Sequence, residues 1–246
     1  MKAATARVPA TTANLGPGFD ALGVALKLYN KVCVAQETKT VGERDAFLEE
    51  VGAMFFRASR RKAFPFSVKI SGEVPPSRGL GSSVTVRLGI LMALNHIAGS
   101  PLGRERILDL TTELEGHPDN VMPAALGGFV ACGGCGYFRA MVSSKLAFIA
   151  AIPSQPLLTC EARGVLPDKI PLPDVVANLQ RVGVIVGAFA SRNYALLKDN
   201  MGDTIHQPVR GPLIRGFQDV LAAARKAGAL EAYLSGAGST IMALAT

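Results

Sequence analysis

The segment Arg78-Gly79-Leu80-Gly81-Ser82-Ser83 runs into a proline-free stretch, Val84 to about Ala98, that reads as a helix. Two glycines let the backbone come close to a bulky anion, consecutive N–H groups can face one concavity, and the helix that follows adds the positive end of its dipole. That combination is a phosphate cradle. It lacks the lysine of G-x-x-x-x-G-K-[ST] and the third glycine of G-x-G-x-x-G, so it is neither of those loops. Taken alone, a serine-capped helix start explains it equally well. Glu115, His117, Asp119 and Asn120 fall within six residues around a glycine and a proline. Acid, imidazole, acid and amide so close together could coordinate Mg²⁺ and position a hydroxyl, or form an ordinary polar loop. Two more loops of small residues, Asn14-Leu15-Gly16-Pro17-Gly18-Phe19-Asp20 and Ser235-Gly236-Ala237-Gly238-Ser239-Thr240, permit close backbone approach, the second being also readable as a hairpin turn. Cys132-Gly133-Gly134-Cys135 has the gap of a metal knuckle or redox pair, but no second ligand pair follows and a glycine-rich turn is the simpler reading.

The elements that must carry these groups follow from hydrophobic period and breakers. Ala6 to Pro9 and Leu22 to Val34 read as strands around the first loop, and Phe66 to Ile70 as a strand that closes before Pro75-Pro76. Phe47, Val51, Met54, Phe55 and Ala58 share one stripe, which predicts a helix over 47–61 whose charged end, Arg57 to Lys62, is a solvated face. Arg104 to Glu115 is a second amphipathic helix, broken by Gly116 and Pro118, with another helical start at Val121. A strand over Leu146 to Ile152 opens the second half, followed by helices at Pro173 to Ala190 and Pro212 to Ala227 and strands near Ala232 to Leu234 and Thr240 to Ala245. Met92, Met122 and Met201 read as core filler and His96 as structural.

Composition sets the frame. The 246 residues are 49% apolar and 18% charged, which excludes disorder and fibrous architectures. No stretch approaches 18 uninterrupted apolar residues and the first nine residues lack a signal-like apolar centre, so a cytoplasmic protein with no membrane partner is expected. Lys plus Arg exceed Asp plus Glu by 26 − 19 = 7, a field that attracts anions. With 6% aromatics and no Trp, nucleic acid is not the expected partner. Four scattered cysteines fit a reducing compartment.

Val8 to Asp20, Pro76 to Ser83, Gly116-His117-Pro118-Asp119-Asn120-Val121, His206-Gln207-Pro208-Val209-Arg210 and Ser235-Gly236-Ala237-Gly238 together closely resemble the homoserine branch of the GHMP small-molecule kinases, in family order and over nearly the whole chain. The resemblance implies an α+β fold of two domains: residues 1–145, like ribosomal protein S5 domain 2 and carrying ATP, and residues 146–246, ferredoxin-like. It implies transfer of a phosphoryl group from ATP to the side-chain hydroxyl of L-homoserine, in the path from aspartate to threonine. Alternatives are a GHMP kinase for another hydroxylated metabolite, or a nucleotide-binding relic. The implied nucleotide site is Pro75, Pro76, Ser77, Arg78, Gly79, Leu80, Gly81, Ser82, Ser83, Val84 and Thr85, with Ser83 and Glu115 on Mg²⁺. Asn14, Asp20, His117, Asp119 and Asn120 would line the substrate pocket, Asp119 pairing with the ammonium and Asn120 orienting the hydroxyl. Arg181 and Arg210 would grip the carboxylate, and a homodimer is compatible with the resemblance.

Three departures stand out. Val84-Thr85-Val86-Arg87 replaces a run of small residues after the two serines, the chain between Val34 and Phe47 is short and lacks an Asn-Leu-Val approach to the adenine, and the resemblance implies a further helix and strand after Leu244. An apolar last strand at Ile241 to Leu244 would then have an open edge.

Overall fold

The computed structural model describes residues 2–38, 45–134 and 136–246. Its first sheet is built on a long hairpin, β1 (Ala3–Ala13) and β2 (Leu22–Gln36), antiparallel from Ala3 opposite Ala35 to Ala13 opposite Gly23. A bulge between Pro9 and Thr11 shifts the register. Burial alternates at first, with Ala6 and Val8 inward, and becomes continuous from Ala10 to Gly18, where the chain dives between the two halves of the molecule. The other edge of β2 is shared: β3 (Phe66–Gly72) pairs with its second half and β4 (Phe129–Gly133) with its first, and β5 (Gly136–Ala140) adds to β4.

Four helices cover this sheet: α1 (Ala46–Ser59), α2 (Ser82–Ile97), α3 (Arg104–Glu115) and α4 (Val121–Leu126). Asp45 caps α1 by accepting from the Phe47 N–H, and Val51 and Phe55 of its apolar stripe are fully buried. Helix α2 lies directly on β2, because a Cβ on Gly89 would stand 2.7 Å from the Val32 side chain. Leu88, Ile90, Leu91 and Leu94 of α2, Val32 and Val34 of β2 and Ile107 and Leu110 of α3 form the first core. Arg57, Arg60, Arg61 and Lys62 are exposed, as a solvated helix end requires.

The second sheet contains β6 (Ala147–Ala151), β7 (Glu231–Leu234) and β8 (Ile241–Ala245), with α5 (Thr159–Gly164), α6 (Leu172–Ser191), α7 (Gln207–Arg210) and α8 (Phe217–Lys226). The strand order is β6-β8-β7. The expected open edge at Ile241 to Leu244 is therefore corrected: β8 is the central strand, paired on both sides, with Ile241, Met242 and Leu244 buried. The helix expected over 212–227 is divided, since Gly211–Leu213 is a 3₁₀ turn and Gly216, at φ +76°, starts α8 afresh. Met92, expected inside, is 46% exposed, whereas Met201 is buried.

The two halves share a second core. Leu15, Leu22, Val24 and Phe129 from the first meet Ile185, Phe189, Met201, Tyr233 and Leu244 from the other. Phe129 and Phe189 stack with centroids 4.1 Å apart and planes 3° from parallel, which contributes about 1 kcal/mol beyond their burial. Helix α6 is long and apolar enough to cross a membrane by length and composition, yet Ile185, Ala188 and Phe189 anchor it in this core.

Candidate active site

A cavity of about 370 Å³ opens where the two halves meet. Its walls come from the β1–β2 loop, the loop before α2, the end of α3, α5, α7 and the β7–β8 loop.

The cradle forms as the glycine pattern demands. Gly79 and Gly81 sit at φ +69° and +66°, and a Cβ on Gly79 would fall 2.1 Å from the Ser235 carbonyl oxygen. That closeness reflects a clamp by the β7–β8 loop. Ser235 Oγ donates to the Gly79 carbonyl at 2.7 Å, and the Thr240 N–H donates to the Arg78 carbonyl at 3.2 Å. The loop at 235–240 is thus more than a hairpin turn, and Gly236 and Ala237 line the cavity themselves. Helix α2 begins at Ser82 and brings its N-terminus to this spot.

Of the expected nucleotide residues, Ser77, Arg78, Gly79, Gly81, Ser82, Ser83 and Val84 line the cavity, whereas Pro75, Pro76, Leu80 and Thr85 do not. Leu80 is buried in the second core, and Thr85 is fully buried with its hydroxyl bonded to Ser82 O and Asn30 Nδ2. Its hydroxyl braces the loop from behind the cavity wall. Arg78 is spent on structure, donating from Nε to Pro153 O at 2.9 Å and from Nη2 to Ser154 O.

Ser83 and Glu115 come together, Ser83 Oγ donating to Glu115 Oε2 at 2.8 Å. The other oxygen, Oε1, accepts from Arg87 Nη1 at 3.1 Å, and Arg87 Nη2 reaches Glu50 Oε2 at 3.2 Å. Arg87, one of the departures after the two serines, therefore joins the site as the partner of its carboxylate.

Beyond Gly116, which ends α3 at φ +81°, His117 Nδ1 meets Asp119 Oδ1, and Asn120 Nδ2 donates to the same oxygen at 3.3 Å. Thr11 Oγ1 donates to Asn120 Oδ1 at 2.7 Å, while the Thr11 N–H donates to Leu80 O at 3.1 Å. One threonine so ties the cradle to the amide beside it. Burial lowers the proton affinity of His117, but the Asp119 hydrogen bond, then the charges of Asp119 and Asp20, outweigh both burial and Arg163, and its pKa is raised above 6.5. Asp20, His117 and Asp119 offer ligand atoms all within 4.8 Å of one another, an anionic corner suited to a cation.

Asn14, Leu15 and Gly16 are consecutive left-handed residues. Asn14 donates from Nδ2 to Gly236 O at 2.9 Å and accepts from the Asp20 N–H at 3.0 Å, so it braces the turn as well as lining the cavity. The Asp20 carboxylate takes Arg163 Nη2 at 2.8 and 3.0 Å. Arg210, 2% exposed, is held by Nε on Ala162 O at 2.9 Å. Burial first, and the Arg163 charge second, bring its pKa down to about 10 against the pull of Asp20, Asp203 and Asp119. The two guanidinium groups are thus neighbours in one cavity.

Arg181, expected on the substrate carboxylate, stands apart from these two. It does not line the cavity; its guanidinium lies against Gly202, with Nη1 buried and without a hydrogen-bond partner. Arg163 stands in the cavity instead, on the short α5 where Glu161 Oε2 accepts from the Leu158 N–H. Six residues are too few for a visible apolar period, and only Glu161 three positions after Leu158 hints at a helix start. Cys132 is half-buried and its thiol is pushed up to about 12 by burial and then by Asp119, which disfavours the thiolate that metal or redox use needs. Cys135 and most of the short stretch before Phe47, residues 39–44, lie outside the described residues.

The chain matches GHMP kinases N terminal domain over residues 46–128 and GHMP kinases C terminal over residues 185–246. It is 42% identical over 253 residues to homoserine kinase of Moorella thermoacetica, covering 96% of this chain and 86% of that one. The chain belongs to the homoserine kinase family. Homoserine kinase of Clostridium beijerinckii is also 42% identical, over 98% of this chain and 85% of its own. The crystal structure of homoserine kinase from Cytophaga hutchinsonii superposes with a TM-score of 0.89 at 30% identity, covering 100% of this chain and 86% of that one. Mevalonate kinase of Methanococcus jannaschii, at 14% identity and a TM-score of 0.71, shares the fold. The two-domain α+β GHMP kinase fold and a phosphotransferase acting on homoserine follow from this membership.

Proposed function

We propose that the cavity transfers the γ-phosphoryl group of ATP to the side-chain hydroxyl of L-homoserine. The observation that carries this reading is the junction made by Thr11: a phosphate cradle on one side, and on the other an amide, an anionic corner and two arginines sized for a small zwitterion. The cradle at 77–84 with the start of α2 takes the phosphates. The hydroxyl and carboxylate of Ser83 and Glu115 are hard oxygen donors 2.8 Å apart, a set that fits Mg²⁺. Ser83 and Glu115 would hold Mg²⁺ there, and the ion would supply neutralisation of charge on the phosphoryl oxygens.

At the acceptor end, Asn120 orients the hydroxyl, and Asp119, steadied by His117, accepts from the ammonium. Asn14 and Asp20 close the pocket. Arg210 and Arg163, rather than Arg181, receive the α-carboxylate as planar forks. A loose transition state places little demand on a strong base, so positioning and charge account for catalysis. We read residues 1–145 as the S5-like ATP-binding domain and 146–246 as the ferredoxin-like one, acting in the cytoplasm. The test is ATP consumption with L-homoserine against L-serine and mevalonate. Marked preference for L-homoserine is expected, and equal or greater turnover of mevalonate would overturn the reading.

A further inference from the structure

Phe19 sits in the β1–β2 loop one residue before Asp20, and three side chains meet its ring. The Arg210 guanidinium carbon lies 5.0 Å and that of Arg163 5.5 Å from the ring centroid. The His206 ring lies 5.3 Å away at 32°. Both cations are within the roughly 6 Å over which a ring quadrupole attracts them. This matters because like charges crowd here: Arg163 is among the causes that hold Arg210 below its ordinary value.

The ring is itself held in place. His206 is fully buried, its Nε2 is 2.8 Å from the Gly16 carbonyl oxygen, and its backbone N–H donates to Asp203 Oδ2 at 2.8 Å. Asp203 Oδ1 accepts from Asn178 Nδ2 at 2.7 Å, which fixes the start of α7 to α6. Burial chiefly, with Arg210 adding to it, lowers the His206 pKa against the pull of Asp203, the Gly16 bond and Asp20. A neutral ring with Nε2 protonated donates to Gly16 O and leaves Nδ1 as an acceptor, 3.5 Å from Arg210 Nη1. The loop that carries Phe19 and the helix that carries Arg210 are therefore one unit, and α5 with Arg163 closes on it through the Arg210–Ala162 bond.

We propose that Phe19 is a positioning residue for substrate selection: its ring, backed by His206, holds Arg163 and Arg210 where both reach one substrate carboxylate. The proposal rests on the assignment of that carboxylate to the arginine pair. An aliphatic side chain in its place fills space but offers no aromatic face for the cations.

The experiment compares Phe19→Leu and Phe19→Tyr with the parent, using L-homoserine and its decarboxylated analogue 3-aminopropanol. Phe19→Leu should raise KM for L-homoserine roughly ten- to thirtyfold, because the two guanidinium groups lose the shared face that holds them ready for the carboxylate. Its KM for ATP and for 3-aminopropanol and its kcat should stay near the parent's, its melting temperature should fall by a few degrees, and Phe19→Tyr should restore the homoserine KM. Phe19→Met, flexible and of similar volume, serves as the ringless variant should the leucine variant not fold. An unchanged homoserine KM, an equal rise for both acceptors, or failure of Phe19→Tyr to restore it would overturn the proposal. Arg163→Ala runs in parallel: if it leaves the preference for L-homoserine over 3-aminopropanol intact, the carboxylate assignment fails. If it erases that preference while Phe19→Leu does not, only the role of Phe19 fails.

Discussion

Glu115→Gln tests the phosphate end of the site, because this side chain serves two partners at once. Its side chain is 7% exposed, with Ser83 on one oxygen and Arg87, 16% exposed, on the other. The amide keeps the shape and one acceptor but removes the charge. Arg87 then retains Glu50, 54% exposed and screened by water, and the Leu114 carbonyl. A hydrogen bond to a charged group contributes about 1.5–3 kcal/mol, so a loss of about 1–3 kcal/mol in stability is expected. For a chain of this size that lowers the melting temperature by roughly 2–10 °C. Turnover should fall far more, by roughly 10²–10³-fold, as when one group aimed at developing charge is removed. Arg87→Met separates the two effects: it should lower the melting temperature similarly while retaining most turnover, and Mn²⁺ should bind no more weakly in calorimetry with nucleotide present. Near-parent turnover of Glu115→Gln at saturating Mg²⁺ would refute the reasoning, as would an Arg87→Met variant as inactive as Glu115→Gln.

The arginines should rank by burial in steady-state kinetics with L-homoserine. Arg210→Ala, at a position 2% exposed, should cost about 2–5 kcal/mol of substrate binding, and Arg163→Ala, 37% exposed, nearer tenfold in KM by about 1–2 kcal/mol. Arg181→Ala should stay near the parent, and a loss equal to that of Arg163→Ala would show that the cavity is wrongly drawn. His117 binds its proton more tightly in the folded chain, so its pairing with Asp119 contributes fully below pH 6.5 and fades as pH rises through the raised value. The melting-temperature difference between parent and His117→Asn should therefore shrink as pH rises above 6.5, and a constant or growing difference would contradict the pairing. Gly79→Ala forces a Cβ to within 2.1 Å of the Ser235 oxygen at a left-handed φ, and should weaken nucleotide binding in calorimetry more than L-homoserine binding; equal losses would place the clamp elsewhere.

The sequence alone established the local chemistry and most elements. Residues 104–115 form a helix as the apolar spacing requires, and the glycine-serine loop opens α2, because cap, period and breaker signals lie within a few residues of one another. Glu115, His117, Asp119 and Asn120 were legible for the same reason, being neighbours in the chain. What the tertiary structure decided were the meetings between residues far apart. Arg163 and Asp20 are separated by 143 positions, and Thr11 and Asn120 by 109. Arg181 and Arg163 are both arginines on helices, and nothing in local pattern says which helix face turns toward the cavity. That choice follows from how α6 packs over the second core and how α5, through Ala162, packs against Ile214, Phe217 and Leu221. The same holds for β8, an apolar last strand by sequence that becomes a central one only when β6, from some ninety residues earlier, pairs along its free side.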